Sequence, residues 1–454
     1  MSDLVEVRAG VYHDSVSLMR VSQALAAHAG VEVAVVAMAT ELNLDLARDL
    51  GFAVPAATGG DLLVAIRASG DARLAEASAE LDRQLTARAP AGGAGARDAP
   101  PRTTRSASRA WDATVALVSV PGEHAFVEAA DAVEAGLSVM IFSDNVPVEQ
   151  EILLKDRARD KGVLVMGPDC GTAVIGGAGL GFANVLRPGR VGVVAASGTG
   201  AQQVTSLLDQ AGVGVSHLLG VGGRDLSAQV GGRSTTQALL ALDEDPATEL
   251  IVLVSKPPAP EVAVAVQELS LSKPVVRALL GPGQDDLTTA VEKVLGALGV
   301  PVPEWPSWPA GRPPVSGGPL RGLYSGGTLC TEAALLAGTG EFTDFGDDEY
   351  TRGRAHPMID PALRLEALAA VETGVILLDV VLGHGSDPDP SASLAPAVEK
   401  ACERGVAVVV ALVGTEGDPQ GLRSQAARLN EAGAAVFTSN AAAARHARLL
   451  IGAS

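Results

Sequence analysis

The residues able to do chemistry sit where apolar runs end. Residues 191–204, Val-Gly-Val-Val-Ala-Ala-Ser-Gly-Thr-Gly-Ala-Gln-Gln-Val, read as a buried strand, a tight turn carrying Ser197, Gly198 and Thr199, and the opening turn of a helix. A first helical turn has backbone N–H groups without partners and the positive end of the helix dipole, so its natural occupant is an anion such as phosphate or a carboxylate. Ser-Gly-Thr-Gly also serves as an ordinary N-cap, and neither a P-loop nor a dinucleotide fingerprint is present. A second turn of the same kind, Ser325-Gly326-Gly327-Thr328, follows Leu323-Tyr324.

Other candidates lie at similar junctions. Gly167-Pro168-Asp169-Cys170-Gly171-Thr172 ends a strand, and Gly222-Gly223-Arg224-Asp225 forms a glycine turn with a charge pair. Asp169, and Asp348 within Asp347-Asp348-Glu349, could serve as acids; that tandem could equally bind Mg²⁺ or be a solvated loop. Cys170 and Arg354, with Gly222, Gly223, Arg224 and Asp225, are the candidates for holding substrate, although a small buried cysteine is also a common core residue. Arg224, Arg233, Arg352 or Arg354 could clamp a carboxylate bidentately. His356 before Pro357 could move a proton, with His384 as second choice; either could simply end a loop. Cys330 is read as structural.

These residues need rigid elements behind them. Strand-like and helical patterns alternate throughout, which predicts right-handed crossovers and parallel sheets in a multi-domain α/β protein. Segment 1–88 is a small N-terminal α/β domain with helix caps at Asp14 and near Thr40. Segment 89–109 is a Gly/Pro/Ala/Arg linker, and 110–187 a Rossmann-like domain without an opening G-x-G-x-x-G. Segments 188–300 and 320–454 read as flavodoxin-like domains joined by a proline-rich connector at 301–319. The last two share an order of features at offsets of about 125 residues: 197–199 with 325–328, 222–225 with 345–349, and 250–255 with 375–380. Two facing helix ends could then share one phosphate-sized ligand.

Composition narrows the partners. Thirty-four basic against 53 acidic residues leave a net charge of −19, which argues against nucleic acid and anionic membranes. Three scattered cysteines form neither a disulfide framework nor a zinc knuckle. No run is long and apolar enough for a membrane span, and Asp3 and Glu6 near the start do not suit a signal peptide, so a cytoplasmic protein is expected.

Several motifs carry a family resemblance. Gly167-Pro168-Asp169-Cys170-Gly171, the 190–204 stretch, Val221-Gly222-Gly223-Arg224-Asp225 and Asp243-Glu244-Asp245-Pro246 resemble the α subunit of succinyl-CoA synthetase and related acyl-CoA synthetases. Asp14-Ser15-Val16-Ser17-Leu18-Met19, 36–43, 325–330, Gly346-Asp347-Asp348-Glu349, His356-Pro357-Met358-Ile359-Asp360 and Gly414-Thr415-Glu416-Gly417-Asp418-Pro419-Gln420 resemble its FdrA branch. In such synthetases, two helix N-termini hold a phosphohistidine. Here Gly281-Pro282-Gly283-Gln284-Asp285-Asp286 stands where their Gly-His-Ala-Gly segment would be, and the CoA-binding glycine turn and an ATP-grasp segment are missing, so CoA and ATP are not expected as cofactors.

The FdrA resemblance implies one subunit of a carbamoyltransferase in ureide and allantoin catabolism. It would work with two other subunits on oxalurate and phosphate, giving oxamate and carbamoyl phosphate. On that reading Ser197, Gly198, Thr199, Ser325, Gly326, Gly327 and Thr328 hold phosphate or carbamoyl phosphate, and His356, Asp169 and Asp348 handle protons. An acyl-CoA synthetase subunit and a non-catalytic scaffold are the alternatives, a homodimer is a further arrangement, and a metal requirement is open.

Overall fold

The computed structural model describes residues 1–11, 13–87, 101–310, 318–351 and 354–452. Residues 89–100 of the expected linker, 311–317 of the connector, and Arg352 lie outside the described residues.

The first unit comprises β1 (Ser2–Arg8), α1 (Ser15–Ala26), β2 (Val31–Met38), α2 (Glu41–Asp49), β3 (Leu62–Ala68) and α3 (Asp71–Ala87). Its antiparallel sheet runs β1-β3-β2. Strand alternation sends Leu62, Val64 and Ile66 of β3 against Leu18, Val21 and Leu25 of α1 and Leu81 of α3, while Leu63 and Ala65 meet Leu44 and Ala47 of α2. Both faces are thus covered, which is why β3 is apolar almost throughout. Asp14 and Thr40 cap α1 and α2 by accepting from the Ser17 and Asn43 amides. Helix α1 docks on the far end of the chain, where Gln23 donates to the Ile359 carbonyl at 2.8 Å.

Next come α4 (Thr104–Ala110), β4 (Val115–Val118), α5 (Gly122–Glu134), β5 (Ser138–Ile141), α6 (Val148–Lys161), β6 (Val165–Met166), β7 (Thr172–Ile175) and β8 (Ala178–Gly181). Helix α4 replaces the end of the expected linker. A Thr103–Ser106 capping box starts it, and bonds from Thr104 to Glu128 and from Arg105 to Asp131 tie it to α5. Strands β4-β5-β6 are parallel. The β7–β8 hairpin leaves this unit and pairs antiparallel with the next sheet.

The first flavodoxin-like half contains β9 (Pro188–Ala196), α7 (Gly198–Gln210), β10 (Val215–Gly220), α8 (Arg233–Glu244), β11 (Leu250–Ser255), α9 (Pro260–Gln267), β12 (Val275–Leu279) and α10 (Leu287–Ala297). Strand β13 (Ser307–Trp308) leads to the second half: β14 (Leu320–Tyr324), α11 (Gly327–Ala337), β15 (Glu341–Asp344), α12 (Asp348–Thr351), α13 (Ala362–Ala369), β16 (Val375–Val381), α14 (Pro390–Glu403), β17 (Ala407–Val413), α15 (Leu422–Glu431), β18 (Ala435–Phe437) and α16 (Asn440–Leu450). The sheets run β12-β11-β9-β10-β7-β8 and β13-β18-β17-β16-β14-β15. Their parallel parts share one order, in which the first strand lies between the second and the third, as flavodoxin-like winding requires.

The halves join through one core. Leu207 and Leu208 of α7, Val291 and Leu295 of α10, Leu329 and Ala333 of α11 and Ala443 and Ala447 of α16 are buried together. Each buried Leu or Val contributes about 1.5–3 kcal/mol relative to exposure. Gln203 within that interface is paired on both sides: it donates to the Thr438 carbonyl at 3.0 Å and accepts from the Asn440 amide at 3.0 Å. Helices α7 and α11 are thereby held N-terminus to N-terminus. Among the described residues no helix is long and apolar enough to cross a membrane.

Candidate functional site

The N-termini of α7 and α11 meet directly. Ser197 caps α7 by accepting from the Gly200 amide at 2.9 Å, and its hydroxyl donates to the Thr328 hydroxyl at 2.6 Å. Contact is close enough that glycine is required: a Cβ on Gly326 would lie 2.5 Å from Thr199 Oγ1, and one on Gly200 would lie 2.9 Å from Thr328 Cγ2. The turns therefore touch and leave no gap between them for one shared phosphate-sized ligand. Ser197 accepts only the Gly200 amide, so the Gly198 and Thr199 amides keep the unpartnered state of a first helical turn.

The second turn is furnished differently. Ser325 donates its amide and its hydroxyl to Asp379 Oδ1 at 2.8 and 2.9 Å, and the Gly326 amide donates to Asp379 Oδ2 at 2.9 Å. Asp379 is fully buried and pairs with Arg364 at 3.2 Å. Ser325 and Gly326, read from sequence as phosphate ligands, thus already bind an internal carboxylate. Asp344 adds another, since a Cβ on Gly327 would lie 2.3 Å from its Oδ2 and 2.6 Å from Lys256 Nζ. Burial raises the Asp344 carboxyl above the usual carboxylate range.

Asp169 lies across the cleft at the carboxyl end of β6, held at a φ of 55° that Asp tolerates better than most residues. Its side chain is exposed to solvent on one side and crowded by protein atoms on the other. Loss of hydration, then the Asp144 and Asp348 carboxylates, push it up to about 7, against the opposing pull of Lys256 and Arg224. Asp144, after β5, is raised by burial and by Asp348. Three strand ends of the second unit thus converge with the loop carrying Asp348. A Cβ on Gly122 would lie 2.2 Å from the Asp144 carbonyl, and one on Gly222 would lie 2.5 Å from the Pro168 carbonyl. Gly223 stands beside Asp169, with its notional Cβ 3.7 Å from Asp169 Oδ2. The link to the first turn is Thr172, whose Oγ1 would lie 3.4 Å from a Cβ on Gly198.

Other sequence candidates take structural positions. Asp225 is fully buried, 2.7 Å from Lys155 Nζ, and accepts from the Ser234 and Thr235 amides at the start of α8, so it orders the glycine turn instead of meeting substrate. Cys170 donates to the Thr172 carbonyl, and burial pushes its thiol up to about 12. The Cys330 thiol is likewise raised to about 12 by burial.

His356 accepts from the Met358 amide at Nδ1 (3.2 Å), leaving the proton on Nε2, and burial lowers it to about 4. A neutral imidazole with so low a value can donate a hydrogen bond from Nε2 but does not take up a second proton near pH 7. Arg233 binds Asp156, and Arg224 binds Glu151 and the Val146 carbonyl, while Arg354 is exposed. Among the described residues no group of three His, Cys, Asp or Glu is placed to hold a metal ion, so the Asp347-Asp348-Glu349 tandem does not form one.

Sequence reasoning missed Asp379 and Lys256. A lone acid inside the buried run Val-Ile-Leu-Leu-Asp-Val-Val was the available signal for the first, because a buried charge requires partners. A lysine closing the apolar run of β11 was the signal for the second.

Comparison with known proteins fits this architecture. Residues 1–101 match the family described as AllF, heavy metal-associated domain, and residues 323–450 the family described as CoA-ligase. The first segment contains no cysteine, so a thiolate site for a soft metal is not available within it. Succinate–CoA ligase (ADP-forming) subunit alpha 2 of Archaeoglobus fulgidus is 29% identical over 202 residues, covering 43% of this chain and 67% of that protein. Among solved structures, a dinucleotide-forming acetyl-coenzyme A synthetase 1 of Ca. Korarchaeum cryptofilum, in complex with phosphate and ADP, has a TM-score of 0.30 and 15% identity, covering 80% of this chain and 89% of that one. The uncharacterized protein YahF of Escherichia coli (strain K12), an FdrA-like protein, is 36% identical over 501 residues, covering 97% of each chain. With that similarity along nearly its whole length, the chain belongs to the FdrA-like family, a branch of the succinyl-CoA synthetase alpha-like (acyl-CoA synthetase) superfamily.

Proposed function

We propose that the cleft forms an acyl phosphate from phosphate, as one subunit of a carbamoyltransferase converting oxalurate and phosphate into oxamate and carbamoyl phosphate. The observation that carries this reading is the α7 N-terminus, whose Gly198 and Thr199 amides have no acceptor among the described residues, joined through Thr172 to the strand end where the Asp169 carboxyl is pushed up to about 7. Phosphate held by those amides, with Lys256 as countercharge, attacks the ureido carbonyl. A C–O bond forms and the C–N bond to the oxamate nitrogen breaks. Asp169 takes the phosphate proton and delivers it to the departing nitrogen, so that oxamate leaves with a neutral amide nitrogen. Oriented amides favour the charge that develops on the carbonyl oxygen. Arg354 is the exposed guanidinium free to meet the oxalyl carboxylate.

A second reading is an acyl-CoA ligase subunit. It is supported by the CoA-ligase match at 323–450 and by the similarity to a succinate–CoA ligase alpha subunit. Both readings place phosphate at α7 and differ in what accepts the acyl group. Full-length chain, assayed with proteins co-purified from its source, should release carbamoyl phosphate from oxalurate only when phosphate is added, and Gly198→Pro, which suits the first helical position but removes an amide donor, should sharply lower that release. CoA thioester formation with no carbamoyl phosphate would favour the ligase, and full activity in Gly198→Pro would remove the α7 end from either mechanism.

A further inference from the structure

Asp169 has two cations near it, yet its carboxyl stays high. Lys256 approaches from the end of β11 and Arg224 from the loop after β10, while Asp144 and Asp348 face it from the loop after β5 and from α12. Arg224 follows Gly223, whose notional Cβ lies 3.7 Å from Asp169 Oδ2, so its side chain has the reach to form an ion pair there. It points elsewhere. Its Nη2 lies 2.9 Å from Glu151 Oε2 and donates to the Val146 carbonyl at 2.7 Å.

Glu151 has no freedom to follow it. Its other oxygen accepts from Lys155 at 2.7 Å, and Lys155 also donates to Asp225 at 2.7 Å and to the Val221 carbonyl at 3.0 Å. Lys155, Glu151 and Asp225 are at most 2% exposed. Two helical residues of α6 one turn apart therefore pin both ends of the turn that carries Arg224. A carboxylate within about 4 Å of a guanidinium commonly falls by roughly 1–3 pH units. If Arg224 closed on Asp169, the acid would stay ionised throughout the neutral range.

We propose that Glu151 is a positioning residue whose task is to hold the Arg224 guanidinium off Asp169. Lys155 fixes Glu151 for that purpose. The inference rests on the reading of Asp169 as the proton-transfer group. Removing the Glu151 charge leaves Arg224 held by the Val146 carbonyl alone and also takes a negative charge from the neighbourhood, and both changes favour the ionised Asp169. Removing Arg224 does the opposite. A purely architectural Glu151 would change stability without moving Asp169 in a defined direction.

The test is a carboxyl titration of the full-length chain labelled with [γ-¹³C]aspartate, with the Asp169 resonance assigned by its loss in Asp169→Asn. The wild-type midpoint is expected at about 7. Glu151→Gln should lower it by about one unit or more, and Arg224→Met should raise it. An unchanged or raised midpoint in Glu151→Gln, or an equal fall when Glu151→Gln is combined with Arg224→Met, overturns the proposal. Should Glu151→Gln fail to fold because Lys155 loses a partner, Glu151→Asp decides, since it keeps the charge but shortens the reach to Arg224: a lowered Asp169 midpoint supports the proposal and an unchanged or raised one overturns it. Carbamoyl phosphate release by Asp169→Asn separately tests the underlying reading, since full activity there together with shifted midpoints would overturn the reading and leave the positioning intact.

Discussion

The turn at 197–200 and the turn at 325–328 occupy the same place in two similarly wound halves, yet only one is satisfied from within. Strand register identifies the cause. Ala196, before Ser197, pairs with Ser255; Leu323 pairs with Leu378, which puts Asp379 beside Tyr324, before Ser325. Equivalent positions therefore hold a hydroxyl in one half and a buried carboxylate in the other. In the second half Asp379 takes the Ser325 and Gly326 amides, with Asp344 close to Gly327. In the first, no carboxylate among the described residues accepts from Ser197, Gly198 or Thr199. A negative group at a helix N-terminus is worth about 0.3–1 kcal/mol when exposed and up to about 2 when partly buried. The second helix end has that stabilisation already, and the first receives none from a carboxylate among the described residues.

The largest break in this contrast comes from Asp379→Ala. It strands the buried Arg364 and two amides, and should cost about 3–5 kcal/mol, seen as a fall in the urea midpoint. Ser255→Ala, at the equivalent position, should change that midpoint by about 1 kcal/mol or less. Equal losses would mean that the two turns are not distinguished by the carboxylate. Thr328→Val is the smaller probe. It removes only the acceptor for Ser197 across the seam, and should cost about 1 kcal/mol while leaving phosphate binding at Gly198 and Thr199 within a few-fold of wild type. A complete loss of phosphate binding would make Thr328 a ligand in its own right.

Much of the fold could be read from local pattern, because strand ends, caps and the repeated order of features are encoded within a few residues of each other. The caps at Asp14 and Thr40 follow from residue type and spacing. Destination is harder. Gly176 and Gly177, both at positive φ, mark the β7–β8 hairpin, but nothing local says that it pairs with β10 in the next unit. The site shows the same divide. Ser197, Gly198, Thr199 and Asp169 are visible because they end apolar runs. Asp225 and Cys170 end such runs too, and only packing shows that Lys155 and the Thr172 carbonyl already hold them. Glu151 and Lys155 look like a solvated pair on a charged helix; their burial is set by the glycine turn folded over them.

The central claim is that an anion binds the first turn and not the amides that Asp379 occupies. Anomalous scattering from crystals of the full-length chain soaked in tungstate, used as a phosphate analogue, tests it most directly. A tungstate peak within hydrogen-bond reach of the Gly198 and Thr199 amides, with Asp379 still bound to Ser325 and Gly326, is the expected result. Tungstate on the Ser325 and Gly326 amides, or no peak at the first turn under conditions that saturate other sites, would contradict it.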